Sequence, residues 1–233
     1  MSKFLFRSYD IAIESAYIIT TKNNSTSETY ANRCVESCKS VGMPNKLWDA
    51  FDGTTESAIH IPQHSANCSY MSILKIMDNY MTKAEVAIAL SHISLWLHCA
   101  KIDKPIVILE HDAVMVKKFD SMPGYNTIVY LGCIEWAKRD WPMMNIPLHG
   151  SDGPNKHFIL RAHAYAIDPV VAKNMLAQTL KMGIYAPLDE MMYADLYNIS
   201  HCGLYAYDDY SNSTVKNRPT DTRTIIKNDD LSF

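Results

Sequence analysis

The segment Pro105-Ile106-Val107-Ile108-Leu109 limits the fold more than any other part of the chain. Its apolar residues follow one another without alternation, so a strand formed from it needs cover on both faces. A sheet packed between two helical layers supplies that cover. The run stops abruptly at Glu110-His111-Asp112, three polar residues placed where the strand leaves the core. Upstream, Thr82-Lys83-Ala84-Glu85 is a capping box and predicts a helix over residues 82–100. A capped helix followed by a doubly buried strand is an α/β pattern.

The pattern recurs along the chain. Ala16-Tyr17-Ile18-Ile19-Thr20 reads as a strand, residues 21–24 as a loop, and Ser25-Thr26-Ser27-Glu28 as a second capping box. Tyr30, Cys34, Cys38 and Val41 then recur at helical spacing, and Gly42, with Pro44 beyond it, closes that helix. Leu47-Trp48-Asp49-Ala50-Phe51 predicts another strand, residues 54–70 a long polar loop, and residues 72–80 a helix. Further strands are expected at residues 127–131 and 163–167. Asp168-Pro169 joins an N-cap to a first-turn proline, for a helix reaching Met182 with Gly183 as its stop. Asp189 is expected to open a last helix ending near Asn198. With no repeat and no linker, the expectation is one α/β domain over residues 1–206 and a polar tail over 207–233.

Composition narrows the function. The chain has 8 glycines, and none are spaced as GxGxxG or GxxxxGK. A nucleotide phosphate would therefore meet something other than a glycine loop. A formal charge of −3 argues mildly against a nucleic-acid backbone as ligand, and 48% apolar residues exclude disordered and fibrous classes. No apolar stretch approaches the roughly 18 residues of a spanning helix. The apolar part of Met1-Ser2-Lys3-Phe4-Leu5-Phe6-Arg7 is too short for a secretory signal, and the cysteines form no CxxC pair. A cytoplasmic location with reduced thiols is expected.

Glu110 and Asp112 stand first among candidate groups. On extended backbone they share one side, with His111 opposite. Two carboxylates at the C-terminal edge of an α/β sheet, where ligands bind, form a hard-oxygen site for Mn²⁺ or Mg²⁺. A cation there neutralises a departing diphosphate, the task a glycine loop would otherwise share. The plainer alternative is a pair of solvated residues opening a turn. Glu85 and His92, two helical turns and about 10 Å apart, share a face that Trp96 continues. Capping alone accounts for Glu85, and a core histidine with one satisfied nitrogen accounts for His92. Asp189 is either an N-cap or a general base facing an acceptor hydroxyl.

In this order the pieces resemble glycosyltransferase family 25, the lipopolysaccharide-type and collagen-type galactosyltransferases. Tyr17-Ile18-Ile19-Thr20 looks like the family's opening strand, and Trp48-Asp49-Ala50-Phe51-Asp52-Gly53 like its "aDG" segment. Thr82 to Trp96, with Glu85, Ala89-Leu90-Ser91-His92 and Trp96, is similar to its "t-x-x-E-x-x-x-x-l-S-H-x-x-x-w" helix. Residues 105–114 look like its "ILEDD" strand and metal motif, with His111 in place of the usual middle Asp. Tyr130-Leu131-Gly132 and His163-Ala164-Tyr165-Ala166-Ile167 resemble two later strands, and Leu188-Asp189 the later acidic position. The likeness spans about residues 17–198.

The resemblance implies a single-domain GT-A type fold, a Rossmann-like mixed sheet flanked by helices. It implies a nucleotide-sugar donor, most simply a UDP-sugar, a divalent cation, Mn²⁺ or Mg²⁺, and inversion at the anomeric carbon. Glu110 and Asp112 would hold the metal. Thr20, Asp52, Gly53, Glu85, Ser91, His92 and His163 would shape the donor pocket, with His201 a further residue near it. Asp189 would take the acceptor proton, since an inverting transfer needs one base opposite the leaving group.

The family's usual acceptor is lipopolysaccharide or another surface glycan, free or lipid-linked. A second reading makes the acceptor a hydroxylated base in DNA, met by Lys138-Arg139 and by Lys216, Arg218, Arg223 and Lys227, with the base flipped out of the duplex. A third is a non-catalytic nucleotide-sugar binder in which His111 marks a decayed motif.

Overall fold

The computed structural model describes residues 11–53, 61–65, 68–77, 81–134, 162–192 and 196–208, with backbone alone for 133, 134 and 201–204. The buried segment forms β4 (Ile106–Glu110), fully buried over its first four residues and partly open at the fifth. Its neighbours are β2 (Ala16–Thr20) on one side and β8 (Ala164–Ile167) on the other. With β3 (Asn45–Asp49), β7 (Ile128–Ile134), β9 (Ile199–Asp208) and β5 (Ala113–Met115) they make a seven-stranded sheet, ordered β3-β2-β4-β8-β7-β9-β5. β3, β2 and β4 run parallel. β8 is antiparallel to β4 and to β7, and β9 is parallel to β7. β4, β7 and β9 therefore all end at one sheet edge. A separate pair joins β1 (Ile11–Ala12) to β6 (Ser121–Met122).

Alternate side chains divide between two cores, as the pleat dictates. Tyr17, Ile19, Ile106, Ile108, Ile128, Tyr130, Tyr165 and Ile167 pack under α3 (Lys83–Ile102) and α4 (Pro169–Met182). Ala16, Ile18, Val107, Leu109, Val129, Leu131, Ala164 and Ala166 face the other way, with Ala31, Cys34 and Cys38 of α1 (Ser25–Ser40). The two-sided cover expected of the apolar run is present, in a mixed α/β sheet flanked by helices. α3 is enclosed almost all round. Its capping box forms as expected, with Glu85 N–H on Thr82 Oγ1 at 3.2 Å and Thr82 N–H on Glu85 Oε2 at 2.7 Å.

Several boundaries differ from expectation. Asn24, not Ser25, caps α1: its Oδ1 accepts the Ser27 N–H at 3.0 Å, while Glu28 reaches back to the Asn23 N–H. β3 begins and ends two residues before the expected strand, so Ala50 and Phe51 leave the sheet as a buried loop. In place of a helix over 72–80 there is one turn, α2 (Ser69–Ser72), followed by extended chain bridging Ile76 to Ile184. There Leu74 and Ile76 are buried while Ile73, Lys75 and Met77 are exposed, a period of two that excludes a helix; residues 78–80 lie outside the described residues. Asp189 does not open a long helix. It is the second residue of α5 (Leu188–Met191), a single turn capped by Pro187. β9 runs to Asp208, two residues into the stretch expected as tail.

Asp168 ties two layers together. Fully buried, it caps α4 by accepting the Val170 and Val171 N–H groups at 2.7 and 3.1 Å, and its other oxygen takes the Thr127 N–H at 2.7 Å just before β7. Asp168→Ala removes the cap and strands a buried N–H. Urea denaturation at neutral pH is expected to show a loss of about 2–4 kcal/mol. On β7, a Cβ at Gly132 would overlap the buried imidazole of His163. Gly132→Ala is expected to cost about 1–3 kcal/mol by overpacking in the same measurement.

Candidate functional site

Three neighbouring parallel strands end side by side. Thr20 is in register with Asp49, and Ile19 with Glu110. Beyond these ends lies a cleft open to solvent. One wall is the loop Ala50-Phe51-Asp52-Gly53 with Ala84, Ala87 and Ile88 of α3, and the other is Thr21, Asn24 and Ser27 at the start of α1. Glu110, His111 and Asp112 stand at its base with Ser91 and His92.

The fold brings together Asp52, Gly53, Ser91, His92, Glu110 and Asp112. Gly53 is required by close approach: a Cβ there would overlap the Lys83 carbonyl in the first turn of α3. Ser91, buried, accepts the Phe51 N–H at 2.9 Å and donates to the Ala87 carbonyl at 2.7 Å, pinning the loop to α3. Thr20, Glu85, His163 and Asp189 are not among the residues that line the cleft. Thr20 is buried behind it, its hydroxyl 3.4 Å from Ser27 Oγ. Glu85 is engaged in the α3 cap. His163 lies behind Glu110, whose N–H it receives through its carbonyl at 2.9 Å. Asp189, half-buried in α5, is not among the cleft-lining residues. The backbone of His201 pairs with Tyr130 in β9. Lys138, Arg139, Lys216, Arg218, Arg223 and Lys227 lie outside the described residues.

Strict alternation across Glu110-His111-Asp112 does not hold. β4 ends at Glu110 and the chain turns, so His111 lines the same cleft as the two carboxylates. Its Nδ1 lies 3.4 Å from Ser27 Oγ, which also accepts the Thr21 N–H at 2.9 Å. Ser27, a residue that sequence reasoning placed only in a capping box, thus joins the β2–α1 loop to the acidic turn.

The carboxylates are unequal. Burial works to raise Glu110, but the imidazole of His92 at 3.4 Å, with His163 and His111 behind it, holds its carboxyl below the usual range. The side chain keeps 31% exposure towards the cleft although protein surrounds the rest of it. Asp112 is pushed up to about 7 by burial and then by the negative charges of Glu110 and Asp208, against a smaller opposing effect of Arg33. Asp112 Oδ1 is buried with no hydrogen-bond partner among the described residues. Arg33, whose guanidinium lies over the Tyr30 ring at 4.8 Å, donates to the Asp112 carbonyl at 3.4 Å. Asp208, at the end of β9, is the acidic residue that the sequence reading left in a polar tail. The signal that could have found it is Leu204-Tyr205-Ala206-Tyr207, a β-prone run that stops at an acid as the run before Glu110 does.

Three negative groups crowded at one edge form a site that favours positive charge. Its donors are hard oxygens, and Asp112 Oδ1 is an orphaned buried acceptor, so the residues present fit a divalent cation. Among the described residues no three His, Cys, Asp or Glu side chains converge to enclose a metal. The fit is therefore to an ion held by two carboxylates with its other positions supplied by phosphate oxygens or water, the usual arrangement for Mg²⁺ at nucleotides.

No helix among the described residues is long and apolar enough to cross a membrane. Among curated proteins, none matches the chain. The family model described as glycosyltransferase family 25 (LPS biosynthesis protein) matches residues 14–144. That span is more than half of the chain and contains every cleft-lining residue, but stops before His163 and Asp189. With the family's strand-end acids and capped α3 helix gathered at one cleft, the chain belongs to glycosyltransferase family 25 and is a glycosyltransferase.

Proposed function

We propose that this glycosyltransferase has a GT-A type fold and moves a sugar, with inversion, from a nucleotide-sugar donor to a hydroxyl of a surface glycan of the lipopolysaccharide kind. A UDP-sugar is the donor and Mn²⁺ or Mg²⁺ the cofactor. One observation carries the reading: the buried, unbonded Asp112 Oδ1 beside Glu110, at the sheet edge where the cleft opens. Glu110 and Asp112 would hold the cation, which neutralises the charge of the departing diphosphate.

The chain's own residues do the rest. Ala50, Phe51, Ala84, Ala87 and Ile88 offer an apolar slot for a flat base, with Asn24, Ser27 and Asp52 as its polar groups. The slot depends on the loop lying directly against α3, which Gly53 permits and Ser91 secures. For the acceptor hydroxyl, Asp189 is the proposed base on the strength of the family resemblance. The chemistry requires one carboxylate on the face opposite the leaving group.

The test is release of free nucleotide diphosphate from a panel of nucleotide sugars. Release is expected with Mn²⁺ and a UDP-sugar and is expected to cease on chelation; activity that survives complete removal of divalent cations would sink the metal reading. Asp112→Asn is expected to lose activity on the order of 100-fold or more. The same change removes one of three crowded negative charges, so its melting temperature is expected to stay level or rise. In Gly53→Ala the loop is driven off the α3 backbone. Donor kcat/KM is expected to fall by about 100-fold, as a misplacement near 1 Å does, while circular dichroism stays that of the wild type.

A further inference from the structure

His92 and Trp96 are one turn apart on α3, and both reach the hydroxyl of Tyr165 on β8. Trp96 Nε1 lies 2.9 Å and His92 Nδ1 2.8 Å from that oxygen. All three side chains are buried, at 1%, 1% and 0% exposure. On its far side His92 places Nε2 at 3.4 Å from Glu110 Oε1, close enough for a charge contact, and Nε2 makes no aligned hydrogen bond among the described residues.

The chemistry of the groups sets the direction of this chain. An indole N–H can only donate, so Tyr165 Oη accepts from Trp96. The Tyr165 hydroxyl proton then needs its own acceptor, and among the described residues His92 Nδ1 is the one within reach. An imidazole that accepts at Nδ1 carries its proton on Nε2, which points it at Glu110. The hydrogen bonds run from Trp96 through Tyr165 to His92, and the N–H left on His92 is turned towards the carboxylate 3.4 Å away.

We propose that Tyr165 and Trp96 are positioning residues: they hold His92 in the Nε2–H tautomer, and His92 in turn holds one oxygen of Glu110 and leaves the second to a ligand in the cleft. This deepens the metal-dependent reading above and rests on it for the identity of that ligand. It also gives a physical reason for a histidine and a tryptophan four residues apart on this helix: the spacing lets both meet one hydroxyl on the neighbouring strand. Groups of this kind, which orient a ligating residue without touching the ion, typically change metal affinity by 10–100-fold when removed.

Long-range ¹H–¹⁵N NMR of the imidazoles in the full chain reads the tautomer directly, with His92 assigned from His92→Gln. The expected wild-type state has the proton on Nε2. A wild-type proton on Nδ1 overturns the proposal without any variant. Tyr165→Phe keeps the ring and removes the hydroxyl; it is expected to give a mixture of tautomers and about tenfold weaker binding of Mn²⁺ alone by calorimetry. An unchanged tautomer in Tyr165→Phe overturns the lock, and a shifted tautomer with unchanged Mn²⁺ affinity overturns its action on Glu110. A wild-type protein that takes up no Mn²⁺ counts against the metal reading instead, and the tautomer comparison then decides the lock by itself.

Discussion

The burial of β4 on both faces is the constraint on which the structure depends. Its first four residues are closed to water, and water reaches the strand at the fifth, Glu110. A carboxylate cannot sit on the buried part without a partner, so the acid falls at the sheet edge. β2 and β3 run parallel to β4 and end beside it. The loops that follow those strands converge on the same place, and the cleft between α1 and α3 is their consequence.

Around that edge, the polar groups inside the protein serve as ties between elements. Asp168 joins α4 to the start of β7, Ser91 joins α3 to the loop at Gly53, and Ser27 joins the end of β2 to the acidic turn. Tyr165 joins α3 to β8. Each spends its hydrogen-bonding capacity on backbone or on another side chain, and this leaves little at the cleft base uncommitted. Asp112 Oδ1 and His92 Nε2 are exceptions among the described residues, and Asp112 sits where two other negative charges press on it. An unsatisfied carboxylate oxygen in an ordered surround is a group that water or an ion would complete, and it is the observation on which the proposed cation rests.

Much of the fold was legible because local signals agreed with the packing. The Thr82–Glu85 cap, the Asp168-Pro169 start and Gly183 stop of α4, and the β2, β4 and β8 strands come from short-range chemistry that packing did not override. Failures came where a local signal competed with a distant partner. Residues 73–77 carry helix-compatible residues, yet they alternate in burial because Ile76 bridges to Ile184. β9 contains His201, Cys202 and Gly203 and lacks a clean apolar run; its pairing with β7 and β5 makes it a strand. Asp208 was missed for the same reason.

For the site, the sequence by itself determined which acids end the buried strand, which box caps α3, and that no glycine loop meets a phosphate. Those follow from residues a few positions apart, whose interactions the backbone geometry already dictates. Only the tertiary structure decided that His92 turns its Nε2 towards Glu110 at the cleft base, that Glu85 is spent on a cap, and that His111 turns towards Ser27. It alone brought Asp208 to Asp112 across 96 residues. Such outcomes depend on which strands neighbour one another, and sheet order is set by burying two cores at once, a sum over the whole chain that no local segment contains.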